Sequence, residues 1–98
     1  MSTDLKKIKE VIKGHSDNLK KTYHVKNIGI FGSIARGDSH KTSDIDILVE
    51  LSQPVSFFEF IDLEDYLKKI LKRKVDVVTK NALKSAIKDD ILAETVYV

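Results

Sequence analysis

The sequence predicts an α/β domain, on three observations. Short apolar segments occur at residues 26–31, 45–51 and 74–78. Segments of helical periodicity flank and separate them, at about 3–13, 16–23, 56–73 and 81–94. A chain of 98 residues is long enough for one hydrophobic core and no more, so residues 1–98 are expected to form a single domain.

Each element has a local reason. In 3–13, Leu5, Ile8 and Ile12 recur on one helical face. Gly14 interrupts that pattern, and a second short helix is expected from Ser16 to Tyr23. The run Lys26-Asn27-Ile28-Gly29-Ile30-Phe31 reads as a strand entering a Gly32-Ser33 turn, with a short helical turn starting at Ser33. Ile45 to Leu51 is the second strand. The clearest helix follows. Ser56 and Glu59 have capping-box spacing, and Val55 and Phe60 have hydrophobic-staple spacing. Phe57, Phe60, Leu63, Leu67 and Ile70 line one face. Acidic residues crowd its first half and Lys68, Lys69, Lys72 and Arg73 its end, as the helix dipole favours. Residues 74–78 form the third strand. Asn81 is expected to cap a last helix ending near Glu94, and 95–98 to form a short strand or a loose tail.

Composition excludes several chemistries. There is no cysteine, hence no disulfide, thiolate metal site or cysteine nucleophile. Seventeen basic against fifteen acidic residues leave a net charge of +2, too little to predict nonspecific nucleic-acid binding. No apolar run has membrane-spanning length and the N-terminus is not a signal peptide, so a cytoplasmic location is expected. The three histidines lack metal-ligand spacing and are read as surface residues.

The chemistry concentrates in one stretch. Ten residues separate the Gly32-Ser33 turn from Asp44-Ile45-Asp46, which opens an apolar strand. Strand alternation sets Asp44 and Asp46 on one face and Ile45 and Ile47 on the other, toward the core. Two carboxylates side by side repel unless a cation lies between them, and magnesium takes such oxygens while sharing its other positions with water and phosphate. Gly32 lets a phosphate approach the backbone. Ser33 offers a hydroxyl and opens a helical turn whose free N–H groups favour anions. Arg36, about one turn on, carries a guanidinium fork suited to phosphate oxygens. Asp76 stands between Val75 and Val77, where a buried lone carboxylate would be costly unless it joined Asp44 and Asp46. There it could also accept a proton from an attacking hydroxyl. Together these residues suit the binding of a nucleoside triphosphate and its metal ions for in-line attack on phosphorus.

Phe31-Gly32-Ser33-Ile34-Ala35-Arg36-Gly37 followed by Ser43-Asp44-Ile45-Asp46-Ile47-Leu48-Val49 resembles the signature of the DNA polymerase beta-like nucleotidyltransferase superfamily. Nearly the whole chain resembles its minimal nucleotidyltransferase (MNT) group, with no departure at the motif. The resemblance implies a small mixed β-sheet flanked by helices, ATP as donor and two Mg2+ ions. It implies that Asp44, Asp46 and Asp76 bind metal and carry catalysis. Gly32, Ser33, Arg36 and Ser43 would then bind nucleotide. Many MNT proteins are MntA-type antitoxins that transfer AMP to a tyrosine of a HEPN-family toxin, so protein adenylylation and a HEPN partner are the expectation. A chain this short has no room for a domain that holds nucleic acid, so the acceptor is expected to supply its own positioning. Two rivals remain: transfer to a small molecule or an RNA end, and silencing of a partner by masking alone.

Outside the motif, the basic residues Lys68, Lys69, Lys72, Arg73 and Lys74 read as a solvated helix end. Phe58 and Ile61 exceed what one buried helix face needs and are candidates for contact with a partner or another copy of this chain. The tyrosines read as packing residues.

Overall fold

In the computed structural model, which describes residues 3–38 and 44–98, the chain runs from two helices into an alternation of strands and helices. The elements are α1 (Thr3–Gly14), α2 (Ser16–Tyr23), β1 (Val25–Phe31), α3 (Gly32–Arg36), β2 (Ile45–Leu51), α4 (Phe57–Leu71), β3 (Val75–Thr79), a 3-10 turn (Lys80–Ala82), α5 (Ser85–Glu94) and β4 (Val96–Tyr97). The strands form one sheet in the order β3-β2-β1-β4. β1 is antiparallel to both β2 and β4, whereas β2 and β3, joined through α4, are parallel. The sheet is therefore mixed and the fold is α/β.

One face of the sheet carries the core. Ile45, Ile47 and Val49 of β2 join Ile28 and Ile30 of β1 and Val75 and Val77 of β3. Ile8 and Ile12 of α1, Leu19 of α2 and Leu63 and Leu67 of α4 close over them. Alternation sends Asp46, Leu48 and Glu50 to the opposite face.

β1 begins one residue earlier than its apolar run suggests, and the reason is a bulge. Val25 pairs with Leu51 but Asn27 with Glu50, so the β1 side carries one extra residue. That extra residue lets Val25 enter the same core as Ile28 and Ile30 despite the odd spacing. At the other sheet edge, a Cβ on Gly29 would lie 3.2 Å from the Val96 carbonyl oxygen and closer still to the Thr95 side chain. Glycine at this position lets the C-terminal strand lie against β1. The terminal residues thus pair as a strand, and the Val98 amide extends the ladder by donating to the Ile28 carbonyl at 3.0 Å.

α4 starts as its sequence dictates. The Ser56 hydroxyl accepts from the Glu59 amide at 3.1 Å and the Glu59 carboxylate accepts from the Ser56 amide at 3.0 Å. Its apolar face is narrower than expected: Leu63 and Leu67 are buried, Phe60 and Ile70 pack partly against the core, but Phe57 is 72% exposed. Phe57 occupies the first helical position, beyond the edge of the layer that Leu63 and Leu67 cover. Asn81 does not cap the last helix. It lies within the 3-10 turn, and α5 begins only at Ser85 with Lys84 as its cap residue and no side-chain cap bond. Gly14 closes α1 and His15 links it to α2. That histidine is not a plain surface residue: half-buried, its Nδ1 lies 2.7 Å from the Tyr66 hydroxyl, and Tyr66 stacks on Tyr23 with ring centroids 4.8 Å apart. His40 lies outside the described residues.

Leu67 is fully buried in this layer, so Leu67→Ala should lower stability by about 2–5 kcal/mol. Phe57→Ala should change it by less than about 0.5 kcal/mol. Urea denaturation of the two variants measures both, and a large loss for Phe57→Ala would contradict its exposed placement.

Candidate active site

The predicted residues converge where β1 ends and β2 begins. Asp46 lies opposite Phe31 in the antiparallel ladder, so its carboxylate sits beside the start of the Gly32-Ser33 turn. It also pairs with Asp76 in the parallel ladder, Ile45 with Val75 and Ile47 with Val77. Same-register neighbours in a sheet share a face, so Asp46 and Asp76 stand side by side on the face away from the core. Asp44 immediately precedes β2 and is exposed. Asp76 is exposed as well, because β3 is an edge strand and its outer face is uncovered. The burial cost considered for it from sequence does not arise. Ser43 lies outside the described residues.

The turn is shaped around Asp46. Gly32 is buried with φ +73°, a left-handed conformation, and a Cβ there would run into the Asp46 carboxylate. Two separate constraints, backbone angle and close approach, thus require glycine at this position. Ser33 follows, half-buried. Its carbonyl accepts from the Gly37 and Asp38 amides at 3.0 and 3.1 Å, which ends the single helical turn of α3. Arg36, on the last position of α3, is exposed, with its Nε 3.4 Å from Asp38 Oδ2.

A residue that motif reasoning overlooked completes the site. Glu94, the last residue of α5, accepts from the Gly32 amide through Oε1 at 3.3 Å and from Arg36 Nη1 through Oε2 at 3.2 Å. The β1–β4 ladder explains its arrival. Ile30 pairs with Val96 and Gly29 with Tyr97, and continuing that antiparallel register brings residue 94 opposite residue 32. One sequence signal existed: an acidic residue at a helix C-terminus opposes the helix dipole, and no basic residue in the last turn of α5 offsets it.

The electrostatics follow from this crowding. Burial first, then Asp76, then Asp44, raise the Asp46 carboxyl above its ordinary value, with Glu94 adding to the effect and Arg36 opposing it. Hydrogen bonds to Glu94 and then Asp38 raise the Arg36 guanidinium. Among the described residues no three acidic, histidine or cysteine side chains are gathered into a cluster able to hold a metal ion as they stand. The donor set along this edge is all carboxylate oxygen, with two of its three aspartates exposed and free to turn, which fits a hard divalent cation.

The raised Asp46 carboxyl makes a pH-dependent prediction. The folded chain holds that proton more tightly than the unfolded chain, so stability contributed at low pH is lost as pH rises through the carboxylate range. Asp46→Asn should therefore melt at a higher temperature than the parent at neutral pH in the presence of a chelator. The gain should shrink as pH falls toward about 4. Thermal denaturation at the two pH values reads the difference, and a lower Tm for the variant at neutral pH would contradict the repulsive site.

Comparison with known proteins agrees with this geometry. Residues 6–98 match the model of the nucleotidyltransferase domain family. The chain is 51% identical over 79 residues to MJ1215 of Methanocaldococcus jannaschii, covering 81% of this chain and 92% of that protein. It is 42% identical over 94 residues to protein adenylyltransferase MntA of Thermococcus cleftensis, covering 96% and 95%. A solved structure of a tri-AMPylated Shewanella oneidensis HEPN toxin in complex with MNT antitoxin matches with a TM-score of 0.66 at 20% identity, over 97% of this chain and 71% of that one. At that identity the structural likeness speaks to the fold, whereas the family match spans nearly every residue described above. A Gly-Ser turn against an Asp-x-Asp strand, on this sheet and with this family match, makes the chain a member of the nucleotidyltransferase domain family.

Proposed function

We propose that this chain is an ATP- and Mg2+-dependent protein adenylyltransferase that acts as an antitoxin, transferring AMP to a tyrosine of a HEPN-family toxin. The observation that carries the enzymatic reading is the pairing of Asp46 with Asp76 beside a turn that only glycine can make. Support for the acceptor comes from relatives. The Thermococcus cleftensis protein is named a protein adenylyltransferase, and the Shewanella oneidensis HEPN toxin in complex with its MNT antitoxin is AMPylated.

In this reading Gly32 and Ser33 hold the donor phosphates and Arg36 pairs with their oxygens. Ser43, just before the carboxylate pair, contributes to the nucleotide site. Asp44, Asp46 and Asp76 would hold two Mg2+ ions, which when bound neutralise phosphate charge and steady the attacking and leaving oxygens. The acceptor oxygen forms a bond to the α-phosphorus as the bond from that phosphorus to the bridging oxygen breaks, and pyrophosphate leaves. Asp76 accepts the proton of the acceptor hydroxyl, since it is exposed on the edge strand and open to an incoming side chain. Catalysis here is mostly positioning and charge stabilisation, so the site needs few residues.

Intact mass spectrometry of the candidate toxin, incubated with this protein, ATP and magnesium, tests the proposal. The expected result is a gain of one or more AMP units. Asp46→Asn should reduce the transfer rate on the order of a hundredfold or more. Tight complex formation without any mass gain would favour silencing by masking.

A further inference from the structure

Glu94 places a fourth carboxylate in a site already crowded with three. Its position is unfavourable twice over: it opposes the dipole of α5, and its charge adds to the repulsion on Asp46. Two donors offset this, the Gly32 amide at 3.3 Å and the Arg36 guanidinium at 3.2 Å, one to each carboxylate oxygen. An anion that bridges a backbone N–H and an arginine makes the same demand on its donors as a phosphate does. These are also two of the donors assigned above to the nucleotide phosphates. The Gly32 amide has a single N–H, so Glu94 and a donor phosphate compete for it, whereas the Arg36 guanidinium, with five N–H groups, gives Glu94 only one of them.

We infer that Glu94 is a built-in competitor of a donor phosphate: its carboxylate holds the Gly32 amide and one Arg36 N–H, and a nucleoside triphosphate displaces it from the Gly32 amide on binding. This inference rests on the nucleotide-binding reading proposed above. Three features suit a contact made to be released. Glu94 gives one carboxylate oxygen to each donor, so neither contact is a bidentate pair. The Glu94 side chain is 30% exposed and the Arg36 side chain 52%, so the carboxylate has a route to water. Arg36 keeps a second carboxylate partner, Asp38, and therefore stays oriented during the exchange. The contact holds the donors in place beforehand and sets a threshold that a stronger, more highly charged anion crosses. It also ties the site to the sheet edge, because Glu94 is delivered by the β1–β4 register.

The test is calorimetric titration of the wild-type protein and Glu94→Gln with a non-hydrolysable ATP analogue and magnesium. The amide is close to the carboxylate in shape but lacks its charge. Glu94→Gln should bind the analogue roughly three- to tenfold more tightly. Equal or weaker binding by the variant, with the wild type binding normally, would overturn the inference and leave the nucleotide site standing. No binding by either protein would overturn both. Carbon-13 NMR of the wild type gives a second readout that does not depend on a variant's folding. The Glu94 carboxyl signal should shift as the analogue saturates the site; a signal that stays put would overturn the inference.

Discussion

The alternation of β2 governs this molecule. Ile45, Ile47 and Val49 have to enter the core beneath α1, α2 and α4, and a strand turns its side chains by half a revolution per residue. Asp46 is thereby committed to the opposite face with no freedom to choose. A shift of one residue would bury a carboxylate and expose three branched side chains, which no local interaction could offset. The site inherits its rigidity from this hydrophobic requirement.

The two neighbours of β2 use that commitment differently. β3 brings Asp76 beside Asp46 because a parallel ladder through the α4 crossover pairs Ile45 with Val75 and Ile47 with Val77. β1 brings the Gly32-Ser33 turn beside Asp46 because an antiparallel ladder ends there. One strand contributes like charge and the other contributes N–H donors and a route to Arg36. The result is an edge where anions are crowded and donors are aimed at the same space. Such an edge is unstable by itself and suited to a cation and a polyphosphate together.

β4, only two residues long, has an influence beyond its size. Its close approach over Gly29 sets the register that carries Glu94 to the Gly32 amide and Arg36. The C-terminal helix is otherwise weakly attached, with no buried residue of its own. The hydrogen bonds of Glu94 to the Gly32 amide and to Arg36 join the end of this helix to the site.

Legibility in the sequence followed the range of the forces involved. Local rules located the capping box of Ser56 and Glu59, the bounds of α2 and β2, and the glycine turn, since each depends on residues a few positions apart. Alternation named Ile45 and Ile47 as core and Asp46 as site, and the spacing from Gly32 to Asp46 identified the family. Other features depended on partners distant in sequence. The β1 bulge that brings Val25 into the core requires the facing strand. The exposure of Phe57 depends on where the helical layer stops, and the 3-10 turn that displaced Asn81 from its capping role depends on how β3 is left. Glu94 is the clearest case. It lies 62 positions after Gly32, and no periodicity links them. By itself the sequence determined which residues are apolar, which are charged and how they alternate, and so the family and most of the carboxylate set. The order of the strands and their registers, which arise from packing between distant segments, decided which charges became neighbours.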